Sequence, residues 1–145
     1  MSHRLEVSGV ARVVCVLLLV SLLAPVGCGG GGDDEAGARQ AVRDFVTATN
    51  ERDGDRLCGK LLTQEYMEKA TGAPSGQAEE ACKQQLDLLK GLRLRLVLIG
   101  RTTVDGDEAT VRAVIVASGT RSARVFELAK EDGSWKLQSG EAARR

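Results

Sequence analysis

The chain has 145 residues, 20 Lys and Arg against 20 Asp and Glu, and a formal net charge of zero. That length corresponds to one domain, and the balance lacks the basic excess with which nucleic-acid binders neutralise phosphates. Hydrophobic residues make up 43% and aromatics 3%, which excludes a disordered chain and a multi-span membrane protein and leaves few rings for stacking on bases or sugars.

The first segment reads as an address. Arg4 and Arg12 frame a weakly basic start, Val13 to Leu23 is almost uninterruptedly apolar, and Ala24, Pro25, Val26 and Gly27 lead to Cys28. A basic start, a short apolar run and small residues are the parts of a secretory signal peptide. The run falls short of the ~20 apolar residues needed to cross a bilayer. With a cysteine after the small pair, the segment resembles the signal of bacterial lipoproteins, which are cut before a cysteine bearing lipid. The resemblance implies cleavage between Gly27 and Cys28 and a lipid (diacylglyceryl and palmitate) on Cys28, although Pro25 stands where that family favours an aliphatic residue. The competing reading is a soluble secreted chain in which Cys28 stays a free thiol.

Cysteine arithmetic supports the same reading independently. Of Cys15, Cys28, Cys58 and Cys82, the first leaves with residues 1–27 and the second is taken by lipid. Cys58 and Cys82 then form an even pair in an exported chain, where a disulfide is the expected state. Cleavage also removes His3, the one histidine. The mature chain can then host neither a Ser-His-Asp or Cys-His arrangement nor a His-rich zinc site, and no metal or cofactor is expected.

Residues 28–36 read as the lipidated cysteine and a flexible tether, Gly29 to Gly32 followed by Asp33, Asp34 and Glu35. From residue 37 the pattern is helical: Ala38, Ala41, Val42, Phe45 and Ala48 recur at three- and four-residue spacing, with Asn50 and Gly54 as the stop. Asp55 is expected to cap a short helix carrying Leu57, Cys58, Leu61 and Leu62. Thr63 opens another helix with Tyr66, Met67 and Ala70, closed by Gly72. After a loop at Ala73 to Gly76, Gln77 to Lys90 is helical, with Ala78, Ala81, Cys82, Leu86 and Leu89 on one stripe and Gly91 at its end. Cys58 and Cys82 then lie on facing helices.

The remainder alternates with the period of a strand. Leu92, Leu94, Leu96 and Leu98 interleave with Arg93, Arg95, Val97 and Ile99. Turns at Asp105-Gly106-Asp107, Gly119 and Glu131-Asp132-Gly133 separate further strands at Thr110 to Ala117, Arg121 to Lys130 and Ser134 to Leu137. Helices followed by a meander of about four antiparallel strands define an α+β fold with the helices packed on the sheet.

The stretches "ATNERDGDRLC", "VDGDEATVRAVIV" and "LAKEDGSWKLQSG" resemble NTF2-like (cystatin-like cone) lipoproteins of actinobacterial type. Gly133, Trp135 and Lys136 carry the most specific part, a turn followed by a tryptophan. The resemblance implies helices wrapped against a curved antiparallel sheet over residues 37–145, with a pocket inside the cone. The group includes enzymes, ligand binders and members without known activity, so it does not by itself assign a function.

The candidate pocket or interface residues are Tyr66, Arg93, Arg95, Arg112 and Trp135, with Asp44 also weighed as a carboxylate. A lone tyrosine on a helical stripe is more often core than catalytic, and Asp44 reads as a solvated helix position. Arg93, Arg95 and Arg101 are expected to share a strand face with Val97 and Ile99, and Arg112 one with Val114 and Val116; this is a solvated face or an interface, including one of a homodimer. Trp135 reads as packing at the sheet edge, with ligand stacking as the sharper alternative. Asp105, Asp107 and Glu108 are turn residues without EF-hand spacing. The expected protein is a lipid-anchored, extracytoplasmic binding module in the cell envelope, without catalysis. Its partners would be the membrane through its lipid, and a small apolar ligand or an envelope protein; no nucleic acid is expected. The alternative is an isomerase or cyclase using a pocket carboxylate.

Overall fold

A computed structural model of the chain describes residues 30–144. The signal segment and Cys28 lie outside the described residues.

Five helical elements precede four strands: α1 (Gly30–Glu51), α2 (Gly54–Arg56), a π turn (Leu57–Leu61), α3 (Gln64–Thr71) and α4 (Ala78–Leu88), then β1 (Leu94–Asp105), β2 (Glu108–Ala117), β3 (Thr120–Glu131) and β4 (Ser134–Ala142). The strands form one antiparallel meander in the order β1-β2-β3-β4. The helices cover one face of this curved sheet, and the core lies between the layers. Its largest fully buried side chains come from both: Val42 and Cys58 from the helices, Val111, Leu128 and Leu137 from the sheet.

Helix α1 corrects the expected tether. Residues 30–36, read as flexible, form its first two turns. Glycine is disfavoured in helices by ~1 kcal/mol per residue, so the sequence locally argues against this. Two tertiary features offset it. Asp34 pairs with Lys130 of β3 at 2.6 Å, and Gly37 packs against the indole of Trp135. Asp33 in the first turn adds a favourable interaction with the helix dipole.

The next segment differs in detail. The cap of α2 is Asp53, whose carboxylate accepts the Arg56 N–H at 2.9 Å, whereas Asp55 turns outward to Lys83, 2.7 Å away. The chain then widens into the π turn, and Leu62 leaves it to bridge Leu137 in parallel. The Thr63 N–H donates to the Leu137 carbonyl at 2.9 Å, tying the helical layer to β4. Thr63 caps α3, and Gly72 closes it in the left-handed region at φ 70°. Cys58 and Cys82 are disulfide-bonded, their Cα atoms 6.0 Å apart, so the π turn and α4 are stapled. Helix α4 stops at Leu88, short of the expected Lys90, and Leu89 is exposed rather than part of the buried stripe.

Two irregularities reshape β1. Its pairing with β2 shifts between Leu96 and Leu98 and again between Ile99 and Thr102. A bulge inserts an unpaired residue and bends the strand, so side chains beyond it change face. Leu94, Leu96 and Ile99 pack on the core, and Leu98 points away from it, 55% exposed. Arg95 and Arg101 therefore do not share a face with Ile99 as the simple alternation predicts. The other turns follow expectation: Ser118-Gly119 and Asp132-Gly133 each place two successive residues at positive φ, the geometry that matches hairpin twist.

Candidate functional site

The concave sheet face and the helices line a cavity of about 160 Å³ that opens to solvent on one side. Phe45 of α1, Leu94 of β1, Ile115 and Ala117 of β2 and Phe126 of β3 supply its apolar walls. Three polar side chains reach it: Tyr66 from α3, and Ser122 and Arg124 from β3. No Asp or Glu lines it among the described residues.

The positions follow from local structure. Phe45 stands on the stripe of α1 that buries Ala38, Ala41 and Val42, and its ring meets Phe126 with centroids 5.8 Å apart, tilted by 57°. Gly140 of β4 lies beside that ring; a methyl group there would come within 3.1 Å of Phe126 Cε1. The end of α1 is tied to the cavity wall by Asn50, whose side-chain amide bonds both backbone groups of Leu94 at 2.8 Å.

Alternation along β3 puts Ser122 and Arg124 on the same face as Phe126 and Leu128. Arg124 is thus a half-buried cation on the core-facing side of the sheet, and its Nε donates to Ser122 Oγ at 3.3 Å. Burial pushes the Tyr66 phenol above its ordinary pKa, and the positive charge of Arg124 partly opposes that rise. Tyr66 is neutral at physiological pH and available as a hydrogen-bond donor.

Of the residues singled out from the sequence, Tyr66 is the one that lines the cavity. Arg95 and Arg112 are exposed on the outer sheet face. Arg93 is exposed just before β1 and donates to the Asn50 carbonyl at 3.4 Å. Trp135 is 7% exposed and packs at the opposite end of the sheet, with Lys130 Nζ 5.5 Å from its ring centroid. Trp135 thus belongs to the core. Asp44 is held by Arg56 at 2.8 Å and by the Gln40 amide at 3.0 Å, away from the cavity. Arg124 and Ser122 were missed. Their signal in the sequence is a charged residue two positions from Phe126 and four from Leu128, on the strand face that the period of two assigns to the core.

The sequence matches no protein-family model and no curated protein. Solved structures do resemble the fold. The Kfla4162 protein of Kribbella flavida superposes with a TM-score of 0.58 at 16% identity, covering 77% of this chain and 90% of that one. A proposed dehydratase of the NTF2-like family from Streptomyces avermitilis gives 0.56 at 18% identity over 79% and 97%. A protein of unknown function with a cystatin-like fold from Nostoc punctiforme gives 0.57 at 12% identity over 75% and 89%. Identities this low speak to fold and not to chemistry. The chain has the NTF2-like, cystatin-like fold: helices packed on a curved four-stranded antiparallel sheet.

Proposed function

We propose that the protein is a binding module that takes a small ligand into the cone and is held at the extracytoplasmic face of the cell membrane by lipid on Cys28. The observation that carries the binding reading is the cavity itself: apolar on most sides, with a few convergent polar groups, as ligand sites usually are. An isomerase or cyclase would need a carboxylate or imidazole aimed at the substrate. The cavity lining includes neither, and Tyr66 is its one acidic group, which favours binding over catalysis.

Helix α1 starts two residues after Cys28, and at 1.5 Å per residue Phe45 lies about 22 Å along it. Lipid at Cys28 would therefore put the cavity at the end of the domain away from the bilayer, facing the aqueous phase.

Two measurements test the two halves. Titration of the full chain with hexan-1-ol should shift the ring signals of Phe45, Tyr66 and Phe126 in an NMR spectrum; rings unmoved at saturating hexan-1-ol and at saturating hexanoate alike would refute the cavity as a site. Intact mass of membrane-extracted protein, with and without reduction and alkylation, should show a chain starting at Cys28 with added acyl mass and two alkylatable thiols only after reduction. A lipid-free chain with one thiol open before reduction would refute the anchor and make the protein a diffusible secreted domain.

A further inference from the structure

The concave face of β3 carries two cations that the helices cover, and they are treated differently. Lys130, near the start of α1, is neutralised by Asp34 at 2.6 Å. Arg124 has no carboxylate within ion-pair distance among the described residues, although it is half-buried and lines the cavity. Its Nε is used by the Ser122 hydroxyl; the rest of its planar donor fork is left for another acceptor. A guanidinium that lines a mostly apolar cavity gives up part of its hydration there, and an anion beside it would supply the missing partner.

We infer that the cavity selects a small amphipathic anion, an organic carboxylate with an apolar body, whose charged head is held by Arg124 with the Tyr66 hydroxyl as an added donor. This inference deepens the ligand-binding reading and rests on it. A carboxylate matches the guanidinium fork bidentately, and Phe45, Leu94 and Ile115 offer the apolar body a wall.

The test compares hexanoate, hexan-1-ol and hexylammonium on the full chain, read by the ring signals of Phe45, Tyr66 and Phe126 and by the titration of Tyr66. Hexanoate should bind about tenfold or more tighter than hexan-1-ol, the ratio expected of one charge-assisted pair. Hexylammonium should bind weakest. Bound hexanoate should also raise the Tyr66 pKa further, because its negative charge cancels the help that Arg124 gives the phenolate. The Arg124→Gln variant should abolish the preference for hexanoate over hexan-1-ol, and Arg124→Lys should restore part of it. Equal binding of hexanoate and hexan-1-ol by the unaltered chain would overturn the anion and leave the cavity reading standing. Absence of any ring shift with all three probes would overturn both. The comparison among probes needs no variant, so a misfolded Arg124→Gln would not rescue the idea.

Discussion

Asn50 at the end of α1 satisfies both backbone groups of Leu94 at the start of β1: its Oδ1 accepts the Leu94 N–H and its Nδ2 donates to the Leu94 carbonyl, each at 2.8 Å. One side chain thus imitates a strand partner and fixes where the first strand leaves the helical layer. Asn50→Ala should lower stability by about 1–3 kcal/mol, the cost of leaving half-buried backbone groups unpaired. Urea unfolding followed by Trp135 fluorescence checks the loss. Faster hydrogen exchange at the Leu94 amide, without change at the far end of β1, would place it.

Gly37 and Trp135 form a second fixed contact. A methyl group at Gly37 would stand 2.9 Å from the indole Cδ1, and Trp135 is hemmed in by Lys130 above its ring. Gly37→Ala should therefore destabilise by roughly 1–3 kcal/mol through overpacking, despite alanine's better helix propensity. The emission of the single tryptophan should shift at the same time. A variant as stable as or more stable than the parent would mean that α1 can slide away from β4 at no cost.

The same two contacts show what sequence reading reached. Periodicity located α1, α3, α4 and all four strands, because each buries one face and the spacing of Ala38, Ala41, Val42 and Phe45, or of Val111, Ala113 and Ile115, records which. The helix over residues 30–36 is not legible in this way, since Gly30 to Gly32 disfavour it locally and the partners that hold it, Lys130 and Trp135, stand about a hundred residues away. Periodicity also misassigns Ile99 and Leu98: the extra residues in β1 leave no mark in composition and reverse the face only through pairing with β2. The cavity was legible in part. Arg124 could have been read from its register with Phe126, whereas the contribution of Gly140 depends on the shift between β3 and β4 after Glu127.

The disulfide between Cys58 and Cys82 closes a separation of 24 residues. Replacing both cysteines by alanine should cost about 3 kcal/mol by the chain-entropy treatment of loop closure, with Cys58 contributing further because it is fully buried in the core. The expected result is a lower urea midpoint in the reduced parent protein and one lower still in the variant. A reduced parent that unfolds at the same midpoint as the oxidised form would show that α4 is held to the π turn by packing alone.

Tyr66 gives the pH dependence of the site. It is the one tyrosine in the chain, so phenolate absorbance reports on it without interference. Its pKa lies above the ordinary value of 10.0, first because burial penalises the phenolate, with Arg124 partly opposing. A raised pKa means that the folded state holds the proton longer than the unfolded state does. The stabilisation is complete below the ordinary value and falls as pH rises from there through the folded pKa, where the unfolded chain binds fewer protons. Urea midpoints should therefore be insensitive to this group at neutral pH and decline in alkali, and Tyr66→Phe should remove that part of the decline. Arg124→Gln should push the Tyr66 titration still higher, since it deletes the one nearby charge that favours the phenolate. A downward shift in that variant would mean that Arg124 acts on Tyr66 chiefly by excluding water from the cavity rather than by its charge.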